Sequence, residues 1–397
     1  MHETPAPPAD ILPPALPAEV PAPPPRPVPE RFEFTGRAGE YFGIWIVNLF
    51  LTIVTLGIYS AWAKVRKKRY FYGNTWIAGA NFEYHGNPVA ILKGRVIAFA
   101  AFVAYTAAGQ YSPKLGAVIA LAFMPAVPWF LVRSFAFNAL NSSYRHIRFH
   151  FHAAYAEGVR ALWPLLLIPA LVLLLPQFDP NEPPKEISAL LMVSAFVPAL
   201  VFAAVYPFVV ARINRLRIER GRYGTATFAT TARTGQFYVI YVIAWAIGLA
   251  ALLVLVALVG FGFAATMKAG NGPGAMTAVL WLLPIVYVTA FAVVFAFTRS
   301  RVSNLVFNTT RLAGRVSFKS RLKARRLSRI YIGNAVAIIF TLGLAIPWAA
   351  IRTARYRAEC LHLECEGGIE SFAADVAANV SATGEEMGDM FDVDLSL

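Results

Sequence analysis

Stretches of about twenty residues with no charge recur along this chain, and that one feature removes most folds from consideration. A helix of about that length crosses the hydrocarbon core of a bilayer. Lipid offers no water to unpaired backbone groups, so only helices or closed barrels can occupy it. The stretches are runs of Leu, Ala and Val without period-two alternation, which predicts helices. The chain is 57% hydrophobic and 15% charged, against about 25% charged in soluble domains. Eight apolar spans follow, at about 41–63, 96–108 (with a start as early as 91), 115–131, 162–178, 187–210, 237–265, 275–297 and 331–351.

Charge sorts the links between them. Three short links, 109–114, 178–186 and 266–276, carry few basic residues, whereas 64–69, 133–160, 212–233 and 299–329 are rich in Lys and Arg. The bias of basic residues toward the cytosol places the second group there and the short links outside. The first and last spans have basic residues at both ends. Each also carries a Thr-Leu-Gly phrase in its second half, Thr55–Gly57 and Thr341–Gly343. Two solutions stay open: a re-entrant hairpin broken at the Gly, or an ordinary crossing that ignores the charge bias. The net charge of +14 is segregated, because residues 359–397 hold ten acidic residues and no Lys or Arg. Basic groups that flank apolar spans point to an anionic membrane surface as partner, not to nucleic acid.

Residues 1–31 form a Pro/Ala-rich arm without the basic start and apolar middle of a secretory signal, and read as a disordered spacer. Residues 32–358 are then the membrane domain and 359–397 an acidic cytosolic tail. Within the membrane domain an aromatic residue precedes an Arg by four positions wherever the chain returns to the basic side: Trp62/Arg66, Trp129/Arg133, Phe208/Arg212 and Trp348/Arg352, with Phe297/Arg301 a weaker copy. Such a pair is an interfacial anchor, its ring at headgroup level and its guanidinium toward phosphate. Twenty residues after the aromatic comes Phe82, Phe149 or Phe228, and one residue later than that spacing comes Phe318. Aromatic-x-aromatic phrases around these positions read as small cytosolic strands. The two ends match further: Asn48 and Asn334 each lie seven residues before their Thr-Leu-Gly phrase. The fold class expected is an all-α polytopic membrane protein of six to eight transmembrane helices, with internal repeats and small strand segments.

The phrases Phe32-Glu-Phe-Thr-Gly-Arg, Gly39-Glu-Tyr-Phe-Gly-Ile-Trp and Thr55-Leu-Gly-Ile-Tyr-Ser-Ala-Trp-Ala-Lys-Val-Arg-Lys-Lys-Arg-Tyr resemble the YjgN family of bacterial inner-membrane proteins. Gly73-Asn-Thr, Phe82-Glu-Tyr-His-Gly and the closing Phe391-Asp-Val-Asp-Leu continue the resemblance, which covers 31–397. It implies location in the bacterial inner membrane and a fold class. It supplies no catalytic residue, because the family's function is not known.

Chemistry is sparse. No Asp, Glu, Lys, Arg or His lies within a span, which weighs against an ion-coupled carrier. Asn48, Thr55, Asn334 and Thr341 are the intramembrane polar candidates, suited to bonding across helices or to a broken turn. His146, His150 and His152 lack the converging partners of a metal site. Cys360 and Cys365 have neither zinc nor redox spacing. No phosphate loop or nucleophile elbow is present. An enzyme, a cofactor and a metal are therefore not expected. Arg315, Lys319, Arg321, Lys323, Arg325, Arg326 and Arg329 read as a basic patch for anionic lipid, which the acidic tail is positioned to cover. The functional expectation is a lipid-interacting or envelope-organising protein. A channel or facilitator for an uncharged or amphipathic solute is the alternative, and association of copies of the chain stays open.

Overall fold

The computed structural model describes residues 29–174, 189–269 and 274–383. Five successive units fill these residues, each leaving a strand, making a helical excursion and returning to a second strand. The first unit is β1 (Pro29–Arg31), β2 (Glu33–Phe34), α1 (Ala38–Val54), α2 (Ser60–Gly73) and β3 (Thr75–Ile77). The second is β4 (Ala80–Tyr84), α3 (Pro88–Tyr111), α4 (Pro113–Phe123), α5 (Ala126–Leu140) and β5 (Ser142–Tyr144). In the third, β6 (Ile147–Phe151) leads to the short α6 (Tyr155–Leu162), a 3-10 turn, α7 (Leu167–Leu174), α8 (Ala189–Glu219) and β7 (Gly221–Tyr223). The fourth is β8 (Ala226–Thr230), α9 (Thr234–Ala269), α10 (Gly274–Asn308) and β9 (Thr310–Leu312). The fifth is β10 (Val316–Ser320), α11 (Ala324–Phe340), α12 (Ile346–Glu359) and β11 (Leu361–Cys365), and α13 (Ile369–Thr383) follows it.

The strands are not small decorations. All eleven join one antiparallel sheet in the order β1-β11-β10-β9-β8-β7-β6-β5-β4-β3-β2. Its two edges, β1 and β2, are consecutive pieces of one strand interrupted at Phe32. Glu30 pairs with Leu363 of β11, and Glu33 pairs with Trp76 of β3. The sheet is thus a nearly closed barrel, and the expectation of an all-α protein is wrong. Closure solves the edge problem that short strands would otherwise leave. Tight connections join the units. Ala78-Gly79 and Arg145-His146 are two-residue turns with positive φ at both positions, the geometry whose twist matches an antiparallel hairpin.

Inward positions repeat from unit to unit. Ile77, Tyr144, Tyr223 and Leu312 end the return strands, and Phe82, Phe149, Phe228 and Phe318 stand third in the outgoing ones; Phe32 supplies the fifth phenylalanine. Phe32 stacks on Phe82 at 6.2 Å and Phe228 on Phe318 at 6.5 Å. Side chains fill small barrels in this way. Ile369, Phe372, Val376 and Val380 of α13 join the same core. Gly224 in the β7–β8 turn lies so close that a Cβ there would meet Val380 at 2.7 Å and Val376 at 2.8 Å. So α13 caps the barrel at its hairpin end. The segment read as an acidic tail contributes the strand β11 and this cap; its remainder, from 384, lies outside the described residues, as does the arm before Pro29.

Because the outgoing and return strands of a unit pair with each other, every helical excursion starts and finishes at the same end of the barrel. Four helices are long and apolar enough to cross a membrane: Pro88–Tyr111, Phe196–Glu219, Thr234–Lys268 and Leu280–Asn308. A fifth candidate is the pair Lys114–Phe123 and Ala126–Leu140, bent by 42°. Six to eight spans are not found among the described residues. The first span stops early, at Val54, and the last divides into α11 and α12. Seventeen residues in α1 reach only about 25 Å. Leu56 (φ 50°) and Gly57 (φ 92°) then turn the chain, as do Leu342 (φ 50°) and Gly343 (φ 95°). In both copies the glycine N–H donates back to a carbonyl five residues earlier, Thr52 and Ile338, at 2.8 Å, the bond that closes a left-handed helix end.

Helices pack in a ring, mostly on their chain neighbours, with α4 packing on α7 and α12 returning to α1. The long helices form a single layer. Five consecutive residues of α3, Val96–Ala100, and six of α9, Val256–Phe261, are all exposed. At 100° per residue such runs go around the helix, so both faces are left for lipid.

Candidate functional site: the junction of helices and barrel

The five arginines of the repeat occupy one structural position. Arg66, Arg133, Arg212, Arg301 and Arg352 each stand nine residues before the first residue of a return strand, Thr75, Ser142, Gly221, Thr310 and Leu361. They therefore lie at one level, where helices meet barrel. Four keep the expected aromatic partner. Arg133 lies 5.8 Å from the ring of Trp129, Arg212 5.1 Å from Phe208, Arg301 5.7 Å from Phe297 and Arg352 5.0 Å from Trp348. Trp62 instead stacks on Tyr59, whose hydroxyl accepts from Arg66 at 3.1 Å.

In the two re-entrant units the structure brings the anchors and the intramembrane polar residues together. Arg66 donates to Asn48 at 3.5 Å, and Arg352 to Asn334 at 3.4 Å. Asn334 also donates to the Ala349 carbonyl at 3.2 Å and the Thr353 hydroxyl at 3.1 Å. Both asparagines are buried, which makes the bonds necessary. Thr55 and Thr341 serve the turns. Each hydroxyl donates to its own helix at 2.7 Å, to Leu51 and Ala337, and accepts the N–H of Tyr59 or Ala345 at 2.9 Å. These four residues clasp the hairpins.

The basic patch does not form one helix. Arg315 lies in the β9–β10 turn, bound to Asp375 of α13 at 2.7 Å, and Lys319 lies in β10, 4.0 Å from Glu364. Arg321 and Lys323 connect β10 to α11, where Arg325, Arg326 and Arg329 begin the helix. Arg326 pairs with Glu359 at 3.4 Å and lies over Tyr356. The seven residues are thus strung along the barrel wall from its capped end to its membrane end.

Sequence reasoning missed the cations that gather at the junction. Lys68 hydrogen-bonds Asn138 and lies 4.5 Å over the Tyr84 ring. Burial, with the charges of Lys64 and Arg217, lowers its pKa to about 8. The Arg357 pKa is lowered by burial and by Arg299. Asn138 and Arg217 carry no sequence signal by themselves; only their shared offset, five residues after Arg133 and Arg212, marks them.

Two constellations are ordinary on inspection. Ser143 lies 3.0 Å from His85 Nε2, and Glu83 lies 3.3 Å from both. A nucleophile relay needs the carboxylate on the other ring nitrogen; here acid and hydroxyl share one, and the trio ties β4 to β5. His150 stacks on His152 at 6.1 Å, and no group of three metal-ligating side chains is found among the described residues.

A barrel of five repeated units carrying long apolar helices, with buried polar clasps and arginine anchors at the junction, defines an integral membrane protein. The chain belongs to the family described as bacterial protein of unknown function (DUF898), which matches residues 29–390. It is 29% identical over 141 residues to inner membrane protein YjgN of Salmonella typhimurium, covering 35% of each chain. It is 32% identical over 144 residues to the protein of that name from Escherichia coli O157:H7, covering 36% of this chain and 35% of the relative. With the one from strain K12 it shares 32% over 126 residues, 31% of each. The matched stretch spans about a third of these curated relatives. No solved structure matches the chain.

Proposed function

We propose that this protein binds anionic phospholipid at the junction of helices and barrel, and acts as a lipid-interacting, envelope-organising protein of the bacterial inner membrane with its barrel in the cytosol. The observation that carries this reading is the repeated arginine, set five times at one level between apolar helices and a soluble barrel. A guanidinium there pairs with a phosphodiester bidentately. The naming of the relatives as inner membrane proteins and the bias of basic residues toward the barrel side support its orientation. Replacing Arg133, Arg212 and Arg301 together by Ala tests it, since these three are not bound to the asparagine clasps. At about 1 kcal/mol per group near a charged surface, retention of phosphatidylglycerol in native mass spectrometry should fall by up to roughly a hundredfold, with phosphatidylcholine unaffected. Equal retention of both lipids by parent and variant would refute the reading.

Closure of the helix ring favours a second reading, a path for an uncharged or amphipathic solute within the ring, with the side chains that fill the barrel and α13 as its plug. Liposome flux unchanged by removal of α13 would count against it.

A further inference from the structure

The third unit breaks the fivefold pattern. Its outgoing helix is interrupted: α6 starts four residues after its strand, as the outgoing helices of the other four units do, but a 3-10 turn then sets it off from α7. Gly158 seats α6 on α5. A Cβ there would meet Val132 at 2.9 Å and the Pro128 carbonyl at 3.1 Å. Tyr155 and Trp163, at the ends of α6, are exposed, as side chains at a membrane surface are.

Between α6 and α8 lies a cleft of about 180 Å³ lined by Glu157, Arg160, Arg212, Arg215, Glu219 and Arg220. Four guanidiniums face two carboxylates. Glu157 is taken by Arg220 in a two-pronged pair at 2.7 Å. Glu219 lies 3.9 Å from Arg215, which also donates to the Ala232 carbonyl at 2.9 Å. Arg160 and Arg212 have no carboxylate within ion-pair distance among the described residues. The cleft therefore holds two uncompensated positive charges at the point where the chain enters the apolar layer.

We infer that the α6–α8 cleft is a phosphate-binding site that takes the headgroup of an anionic phospholipid or a free phosphate, with Arg160 and Arg212 as its anion-binding pair. The inference rests on the lipid-binding reading above and selects one of the five arginines as the specific site.

The test uses the full-length protein in a zwitterionic detergent. The probes are dihexanoyl phosphatidylglycerol, dihexanoyl phosphatidylcholine and inorganic phosphate, titrated by calorimetry. Arg160 is exposed, so Arg160→Gln should fold as the parent does; it should weaken phosphatidylglycerol about tenfold, the worth of one charge-assisted hydrogen bond. Glu157→Gln frees Arg220 and should tighten the same ligand severalfold, a gain that misfolding cannot imitate. Phosphate that binds and competes would identify free phosphate as the ligand; phosphatidylglycerol binding without competition would identify the lipid. A parent that prefers phosphatidylglycerol while neither variant changes its affinity would overturn the cleft and leave the broader reading standing. A parent with no preference for any anionic probe would overturn both.

Discussion

Asn48 and Asn334 hold the same place in the repeat, yet the structure predicts unequal costs for removing them. The Asn334 side chain makes three hydrogen bonds: it donates to the Ala349 carbonyl and the Thr353 hydroxyl, and accepts from Arg352. The Asn48 side chain accepts one, from Arg66 at 3.5 Å. Side-chain hydrogen bonds between membrane helices average about 0.6 kcal/mol. Asn334→Ala should therefore cost about 2 kcal/mol and Asn48→Ala about 0.6 kcal/mol. Both asparagines are 7% exposed, so burial does not separate them. Unfolding in mixed micelles of increasing dodecyl sulfate fraction, followed by tryptophan fluorescence, measures both. Adding Arg352→Ala to Asn334→Ala closes a double-mutant cycle that isolates the charged bond. Equal losses for the two alanine variants would refute the reasoning, because it attributes the difference to bond number alone.

Removing α13 by truncation after Gly368 should uncover Cys365, now 3% exposed beneath Ile369 and Phe372; in a Cys360→Ser background, maleimide labelling should become fast, and unchanged labelling would show that α13 does not cap the barrel. Lys68 has a folded pKa of about 8 against an ordinary value of 10.5. The unfolded chain binds the extra proton between these values, so stability should rise with pH from about 8 to about 10.5. Lys68→Met should abolish that rise, and an unaltered pH profile would contradict the placement. Gly158→Ala should cost about 1–3 kcal/mol by forcing α6 off α5, which a stability equal to the parent's would exclude.

Much of this architecture is written in the chain at spacings easier to see than to interpret. The arginine repeat and the phenylalanines marked the units, and the Thr-Leu-Gly phrases marked the re-entrant turns. Even the one-residue lag of Phe318 has a cause. The β9–β10 connection holds three residues, Ala313, Gly314 and Arg315, where the β3–β4 and β5–β6 turns hold two. The barrel itself was not legible, because four of its five return strands are three residues long. Thr-Trp-Ile, Ser-Ser-Tyr, Gly-Arg-Tyr and Thr-Arg-Leu are too short to show period two and lie inside basic links. Their pairing depends on partners up to a whole helical excursion away, and closure joins the first strand to the last. The basic run at 315–329 is likewise divided: a turn, a strand and a helix start share it.

Closure turns the sheet of paired units into a barrel by joining the first unit to the fifth. Arg31 and His362 are direct partners across the β1–β11 seam. Cα atoms of such antiparallel partners lie about 4.5–5.5 Å apart, within disulfide range. Cysteines at these two positions, with Cys360 and Cys365 replaced by Ser, should cross-link within one chain under mild oxidation, giving a faster-migrating band that reductant removes. Free thiols at both positions after oxidation of folded protein would mean that the sheet is open and that its two ends do not meet.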